Sequence, residues 1–350
     1  MRRAGLAAAL AIAGCAHEQP FTPGRYGPEG PLNAGTMWRL TYSVGVDRMP
    51  AWTPGEAYLW YEFARTDRLD RDHCLGLLPY PGGARATALC DYSASGQDST
   101  DVYESPSAAA DGRLAFVHVR GRVGAIPPAW GEVLVSRLDG TPPARVMRLP
   151  PPTGGESYDR AGYIQWLGRD SLAFVAQLWL PLRTPLTQIY DTVLFGEGVD
   201  VLRLGDSMPV RVPGTDSATS LAAGDTAGVL YFTRFGDSRV YRLALAAIDT
   251  ATLFDFGPLG IARDVQVRAG RLLAVVGGKV IAGIDPVFGR PIQRDSGGYL
   301  YFVDLAMGVP QQVGDPNRLY RRPALSRDGR TVGVEEWSPG QRDLWAVLLP

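Results

Sequence analysis

The stretch RPALSRDGRTVGVEEW, residues 322–337, decides the fold of this chain. Its Asp328-Gly329 pair is a turn signal, and the apolar, partly alternating residues 331–337 that follow are typical of a buried strand. A second apolar segment, residues 343–349, comes after a short polar break. The stretch therefore predicts a turn followed by two consecutive strands.

The same pattern of turn and apolar strand recurs along the chain. Asp111-Gly112 and Ala269-Gly270 are two of the turn signals, and a second strand follows in each unit. Residues 37–350 divided among six such units give about 52 residues each, which is in the range of a four-stranded propeller blade. The predicted first strands of the pattern are residues 58–64, 113–119, 171–179, 229–235, 271–277 and 331–337.

Composition agrees with many short strands joined by turns. The chain has 350 residues, of which 42 are glycine and 28 are proline, and 45% are hydrophobic. Basic residues number 35 and acidic residues 36, so the chain lacks the basic surplus that nucleic-acid binding needs. The sequence predicts an all-β fold, a six-bladed β-propeller of four-stranded blades.

The last unit is one strand short, because the chain ends at Pro350 directly after its third strand. Residues 38–46 have the pattern of a strand and precede the first complete unit. Pairing them beside residues 343–349 is predicted to close the ring with an N-terminal strand. The alternative, an open stack of repeats, would leave both sheet edges unpaired.

Two stretches of the chain resemble a known repeat. Residues 322–337, with Asp343-Leu-Trp-Ala-Val, resemble the repeat of TolB-type β-propellers, in which a proline, an apolar residue, a serine and Pro-Asp-Gly precede an apolar strand. Residues 49–56 are similar but lack the aspartate. The resemblance implies a propeller whose face binds a protein or peptide partner in the cell envelope.

The N-terminus has the pattern of an export signal. Arg2 and Arg3 precede an apolar run, residues 4–13, that is too short to span a bilayer. Ile12-Ala13-Gly14-Cys15 resembles the lipobox of bacterial lipoproteins, which implies that Cys15 takes a lipid and anchors the chain in a membrane. The alternative is a plain secretory signal with an incidental cysteine.

This pattern predicts three segments. Residues 1–14 are a lipoprotein signal peptide, residues 15–36 are the lipidated cysteine with a flexible tether rich in Pro, Gly and Glu, and residues 37–350 are the propeller. We expect a membrane-anchored monomer of the bacterial cell envelope, with its propeller in the periplasm.

Two cysteines remain in the exported body. Cys74 and Cys90 lie symmetrically about Gly82-Gly83, which is a hairpin turn signal, so they are predicted to face each other on neighbouring strands. A disulfide suits an exported protein, and the alternative is a pair of buried thiols.

The predicted binding face is the one reached by the longest loops, residues 65–72, 120–131, 180–198 and 278–297, because long ordered loops are usually functional. On that face, arginines are expected at the entrance to the inner strands of four units. The guanidinium group suits carboxylates and phosphates. Alternatively, each arginine forms a structural bridge to its adjacent aspartate or to the next unit. The candidates are Arg48, Arg160, Arg263, Arg321 and Arg322.

Sequence motifs assign no catalytic residue. Gly205-Asp206-Ser207-Met208 is similar to the nucleophile block of GDSL-type hydrolases, and Asp70-Arg71-Asp72-His73 has the spacing of their base block. The two occur in reversed order and at predicted turns, which disfavours that family. We expect no cofactor.

Metal binding is also disfavoured by the sequence. Asp67, Asp70 and Asp72 offer oxygen ligands for calcium, but the interleaved Arg68 and Arg71 would repel the ion, so a solvated loop is preferred. The three histidines of the chain are too scattered to predict a histidine cluster.

Two function classes follow. The first is a non-catalytic envelope lipoprotein whose propeller face binds a protein or peptide partner, acidic partners included. The alternative is a propeller enzyme, hydrolase or lactonase-like, that acts on a small or sugar-derived substrate at the central channel. Three or more inward carboxylates would favour the enzyme, and a shallow rim of arginines and aromatics would favour the binder.

Overall fold

The computed structural model describes residues 32–42, 45–65, 72–90, 99–122, 130–137, 142–149, 158–183, 189–278, 283–284, 291–292, 297–338 and 341–350. Within these residues the chain consists of β-strands and a single 3-10 turn at Gly257–Leu259. The strands are β1 (Met37–Arg39), β2 (Asp47–Trp52), β3 (Tyr58–Ala64), β4 (His73–Pro79), β5 (Thr87–Leu89), β6 (Ser99–Ala108), β7 (Arg113–Arg122), β8 (Trp130–Arg137), β9 (Ala144–Leu149), β10 (Tyr158–Leu167), β11 (Ser171–Arg183), β12 (Ile189–Arg203), β13 (Val210–Arg211), β14 (Ala218–Ala223), β15 (Val229–Arg234), β16 (Arg239–Ala244), β17 (Asp249–Asp255), β18 (Ala262–Arg268), β19 (Arg271–Val276), β20 (Gly283–Ile284), β21 (Pro291–Ile292), β22 (Tyr299–Asp304), β23 (Val309–Val313), β24 (Leu319–Leu325), β25 (Thr331–Ser338) and β26 (Gln341–Leu348).

These strands form a propeller-like arrangement of four-stranded sheets. Four separate sheets have the orders β10-β11-β12-β13, β14-β15-β16-β17, β18-β19-β22-β23 and β1-β26-β25-β24. A larger sheet runs from β2 to β9, and its β4 and β6 are joined by one parallel pair, His73 with Val102. The all-β prediction is confirmed, while the described strands divide into four separate four-stranded sheets, one larger sheet and a two-stranded sheet of β20 and β21.

The predicted first strands of the pattern begin where the turn signals place them, as β3, β7, β11, β15, β19 and β25. At the sixth turn, Asp328 caps the bend by accepting hydrogen bonds from the Ser326 hydroxyl (2.6 Å) and the Arg330 amide (2.9 Å). Gly329 adopts φ +71°, a conformation that residues with a Cβ rarely take. Because turn and strand are both local features, the sequence locates them well.

The predicted N-terminal strand, residues 38–46, is shorter in the structure. β1 covers Met37–Arg39 and pairs antiparallel with β26, Met37 opposite Val347. After Arg39 the pairing becomes irregular, because the amides of Leu40 and Thr41 both donate to the Leu344 carbonyl. Residues 43–44 lie outside the described residues.

The apolar core lies between facing sheets rather than within one of them. One buried cluster joins Val117 of β7 to Phe174 of β11, and another joins Leu344 and Ala346 of β26 to β3. Burial of a side chain of this size stabilises the fold by roughly 1.5–3 kcal/mol. Each sheet therefore depends on its neighbours for stability.

Cys74 and Cys90 form a disulfide with a Cα–Cα distance of 5.1 Å. Cys74 lies in β4 and Cys90 directly follows β5, and the two strands pair with Leu75 opposite Leu89. In the chain-entropy model, a crosslink over about this loop length stabilises a protein by roughly 3 kcal/mol. The disulfide holds the short strand β5 on the edge of its sheet.

Residues 180–198 were predicted to form a loop, and this prediction is wrong. β11 and β12 continue as a hairpin through most of that range, with Leu180 opposite Val193. The segment is rich in β-branched and aromatic residues, so the strands extend beyond the body of the sheet.

No helix in the described part of the chain is long and apolar enough to cross a membrane.

Candidate functional site

Six strands, here called the inner strands, each carry a β-bulge against the next strand along the chain: β2, β6, β10, β14, β18 and β24. Each inner strand loses register with its second strand, and a bulge of this kind bends the strand and redirects side chains. The register shifts lie between Arg48 and Ala51, Glu104 and Ser107, Gly162 and Gln165, Ala218 and Ser220, Ala262 and Val265, and Arg321 and Ala324.

Four of these bulges place a residue with a side chain in the left-handed region. The φ angles are +55° at Met49, +53° at Ser105, +53° at Tyr163 and +45° at Arg322. The Ser105 amide donates to the Met49 sulfur at 3.1 Å, so neighbouring bulges touch. Such backbone conformations are costly and cluster at functional sites. The four bulges therefore mark a candidate site where the inner strands converge.

A small cavity of about 60 Å³ lies among these bulges. Its polar groups come from three strands, β10, β18 and β24. The lining residues are Met49, Pro50, Pro106, Tyr163, Gln165, Asp264, Val265, Gln266, Arg322 and Pro323. A concave site with a few convergent polar groups is the usual form of a small-molecule site.

Asp264 is the central acidic group of the cavity. Its side chain is almost fully buried, and Oδ2 accepts hydrogen bonds from Arg321 Nε (2.8 Å) and from the Arg322 amide (2.8 Å). Tyr163 donates its hydroxyl to Oδ1. Burial alone would raise the pKa of Asp264, but the Arg321 charge and these hydrogen bonds outweigh it and hold the pKa well below its usual range. Asp264 is therefore ionised at neutral pH.

Tyr163 is the neutral partner of that carboxylate. Burial, and then the nearby Asp264 charge, raise the pKa of Tyr163 to about 12. The phenol therefore stays protonated at physiological pH, and its hydroxyl keeps the hydrogen bond that it donates to Asp264.

Gln165 presents a hydrogen-bond donor to the same cavity. Its Oε1 accepts the Ala223 amide at 3.2 Å, which leaves the amide nitrogen as the group that can donate elsewhere. Gln266 lines the cavity from β18. The cavity therefore combines an ionised carboxylate, a neutral phenol and side-chain amides.

A second charged cluster contains Arg48, Glu62 and His73. Arg48 contacts Glu62 Oε1 through Nε (2.8 Å) and through a terminal nitrogen (2.5 Å), and His73 Nδ1 lies 2.5 Å from the same oxygen. Burial alone would raise the pKa of Glu62, but Arg48 and His73 outweigh it and lower the pKa to about 2. Glu62 is fully buried, so this cluster fixes β2 against β3 and β4.

The predicted arginines lie on inner strands, as expected, but in different environments. Arg321 pairs with Asp264 of another sheet, which is the structural bridge that was the alternative, whereas Arg48 pairs with Glu62 of the neighbouring strand in its own sheet. Arg263 donates Nε to the Gly277 carbonyl at 2.8 Å, and burial followed by the Arg321 charge lowers its pKa to about 10. Arg322 reaches the cavity.

Three other predictions concern Arg160, the acidic loop and the turn that resembles a hydrolase motif. Arg160 belongs to β10, but its side chain lies outside the described residues, as do Asp67 and Asp70 of the acidic loop. Gly205-Asp206-Ser207-Met208 is the exposed turn between β12 and β13, while Asp72 and His73 belong to the first unit.

Neither Asp264 as the hub of the cavity nor Gln165 beside it was predicted from the sequence, and Glu62 of the second charged cluster was not predicted either. Asp264 and Arg321 are 57 positions apart and belong to different sheets, so no local pattern relates them. A usable signal existed for Glu62, because it is the one charged residue in the otherwise apolar strand YLWYEFA.

No protein-family model and no curated protein sequence matches this chain. Solved structures share its fold. A gluconolactonase from Xanthomonas campestris is 17% identical with a TM-score of 0.53, and the match covers 90% of this chain and 89% of that one. TolB from Acinetobacter baumannii is 13% identical with a TM-score of 0.52, covering 84% of this chain and 64% of that one. Regucalcin from Agrobacterium tumefaciens, a calcium-binding protein, is 12% identical with a TM-score of 0.50, covering 87% and 90%.

These structures correct the expected function. The prediction of a non-catalytic binding protein, and of no enzymatic activity, is wrong: a gluconolactonase matches over nearly its whole length, whereas TolB is covered only in part. The comparison favours the alternative hypothesis, a propeller enzyme. At these sequence identities the structural similarity shows only a shared fold, so the catalytic chemistry must be inferred from the cavity.

The described residues do not suit a calcium ion like the one regucalcin binds. Asp264 is the one carboxylate that lines the cavity, and Arg321, Tyr163 and the Arg322 amide already bond to it. No group of three or more acidic, histidine or cysteine side chains in the described ranges is placed to hold a metal ion. Calcium prefers six to eight oxygen ligands.

Proposed function

We propose that this chain is a six-bladed propeller enzyme, a hydrolase that opens a small sugar-derived lactone or ester in the central cavity. The observation that carries the proposal is the ionised, buried Asp264 in a cavity that also contains the Gln165 amide. Acyl hydrolysis needs an acceptor for the proton of water and a donor for the carbonyl oxygen. The cavity offers one of each.

Contacts between sheets support six blades in a closed ring. The larger sheet divides at the single His73–Val102 pair into β2–β5 and β6–β9. The inner strands then contact each other in the succession β2, β6, β10, β14, β18 and β24, and β24 contacts β2. β1 would complete the sixth blade as its outer strand through the β26 pairing.

Asp264 is suited to orienting a water molecule. Its Oδ1 carries one hydrogen bond, from Tyr163, so a lone pair of that oxygen can accept a bond from water. The low pKa makes Asp264 a weak base, which suits an activated carbonyl such as a lactone better than an amide. Gln165 would donate to the carbonyl oxygen as it becomes negative.

The first prediction concerns Gln165→Leu. We expect the wild-type chain to hydrolyse at least one member of a panel of sugar lactones, measured by acid release at constant pH. Loss of an oxyanion donor typically lowers kcat by about 100-fold or more, so the variant should lose that much. Gln312→Leu, an exposed glutamine on β23, is the matched control and should keep full activity. No lactone or ester hydrolysis by the wild type, or equal kcat in Gln165→Leu, would refute the proposal.

We also propose that the chain is anchored in the cell envelope through Cys15, with residues 15–36 as the tether. The support is the sequence pattern that ends at Cys15, since residues 1–31 lie outside the described residues. One lipid chain binds a membrane marginally, whereas a multiply acylated cysteine anchors stably.

The second prediction tests this anchor. Cys15→Ser should move the protein from the membrane fraction to the soluble periplasmic fraction after a carbonate wash, because the thiol that takes the lipid is absent. Ala16→Ser keeps the thiol and should remain with the membrane. Recovery of Cys15→Ser in the washed membranes would contradict the anchor.

A further inference from the structure

We infer that the substrate of this cavity carries a carboxylate, and that Arg322 holds it. This inference rests on the proposed function, because it names the class of substrate that the same cavity takes. It concerns a group that the hydrolysis leaves unchanged, so its test can be separated from turnover.

Arg322 is held in place before any ligand arrives. Its backbone lies in the left-handed region at a bulge, its amide donates to Asp264 at 2.8 Å, and Pro323 follows it. The guanidinium carbon lies 5.0 Å from the centre of the Tyr163 ring, which is cation–π contact distance. The planar group therefore has a fixed position against the cavity wall.

Its charge has no carboxylate partner in the described part of the chain. Arg48 pairs with Glu62 and Arg321 with Asp264, whereas no described acidic side chain lies within ion-pairing distance of the Arg322 guanidinium. The side chain is only half buried, so solvent or a ligand can reach it. A held and accessible guanidinium is an anion site.

The charges of the cavity favour a ligand with a single negative charge. Among the described residues, Asp264 and Arg322 are the two charged residues that line the cavity, and Arg321 neutralises Asp264 at 2.8 Å. One positive charge therefore remains. A carboxylate matches it in charge and also in shape, because two coplanar oxygens fit the guanidinium fork, whereas a phosphate dianion would call for a second cation.

The reaction then has a defined balance. Water adds to the lactone or ester carbonyl, the acyl C–O bond breaks, and the leaving oxygen takes a proton to become a hydroxyl. The new acid group is released as a carboxylate and a proton, and the carboxylate on Arg322 does not react. The substrate class is thus a sugar-acid lactone or ester with one carboxylate of its own.

Binding of glucuronate and glucose tests this inference, because the two pyranoses differ at C6 by a carboxylate in place of a hydroxymethyl group. Calorimetric titration of the full folded domain should show glucuronate binding at least about tenfold tighter than glucose, since an ionic hydrogen bond contributes more than 1.4 kcal/mol. Arg322→Met should abolish that preference, and Arg322→Lys should keep part of it. Arg327→Met, an exposed arginine, should leave it unchanged.

Any of three binding results would overturn the inference: equal affinity for glucuronate and glucose, an unchanged preference in a folded Arg322→Met, or tighter Arg322-dependent binding of inorganic phosphate than of glucuronate. Thermal melts of both Arg322 variants establish that they are folded, and Arg322→Lys replaces Arg322→Met if the latter is not. Turnover of neutral lactones without carboxylate preference would refute the inference and leave the proposed function. Arg322-dependent binding of glucuronate without hydrolysis of any lactone or ester would refute the proposed function and leave the inference.

Discussion

Removing residues 16–46 will destroy cooperative unfolding, whereas removing residues 16–34 will leave the melting transition nearly unchanged. The longer deletion takes away β1 and its ladder with β26, and with it the buried side chains of Trp38 and Leu40. Truncating one buried leucine or tryptophan costs about 2–5 kcal/mol, and the net stability of a domain is about 5–15 kcal/mol. The deletion would also expose the edge of β26, so we expect aggregation.

Calorimetry and size-exclusion chromatography of both truncations measure this effect. A double variant, Trp38→Ala with Leu40→Ala in the full chain, separates the two causes, because it removes the side chains and keeps the backbone ladder. It should lower the melting temperature without aggregation. Equal melting temperatures for the two truncations would refute the closed ring.

Asp264→Asn will lower the free energy of unfolding at pH 7 by about 3–5 kcal/mol, the usual effect of breaking a buried ion pair. The reason is Arg321, which is buried and bonded to Asp264 at 2.8 Å. The substitution removes the charge that offsets the burial of that guanidinium. Urea titration followed by intrinsic fluorescence measures the loss.

A companion variant and a pH series test the cause. Asp264→Asn combined with Arg321→Met removes both charges and should be less destabilised than the sum of its single substitutions. The pKa of Asp264 is depressed in the folded state, so its contribution is complete above the unfolded-state value near 4 and is lost as the pH falls below it. The gap between wild type and Asp264→Asn should therefore be constant from about pH 5 to 8 and shrink below pH 4. A gap at pH 3 as large as the gap at pH 7, or strict additivity, would contradict the ion-pair explanation.

Local signals predicted the strands well because they depend on neighbouring residues. β3, β7, β11, β15, β19 and β25 all begin at the predicted positions, each after a turn signal. The N-terminal strand was predicted too long, because residues beyond Arg39 satisfy their amides on a single carbonyl of Leu344. Such irregular pairing depends on the partner strand and has no periodicity of its own.

The site was less predictable than the strands. The arginines stood out because four of the six predicted units have one at the entrance to the inner strand, but the sequence does not say which of them has a partner. Glu62 neutralises Arg48 from the next strand, Asp264 neutralises Arg321 from another sheet, and Arg322 is left to stack on Tyr163. Tertiary contacts alone distinguish these three arginines.

The bulges at equivalent places in the inner strands have a consequence for the origin of specificity. A gene built by duplicating one ancestral unit inherits the same backbone irregularity in each copy, and selection can then act on each copy separately. Positions 49, 105, 163 and 322 now hold Met, Ser, Tyr and Arg on similar backbone angles. A single codon change at position 49, 163 or 322 replaces a group that lines the cavity while the backbone of the other bulges is kept. Lineages that share this architecture can diverge in substrate by exchanging these few residues, without altering the scaffold.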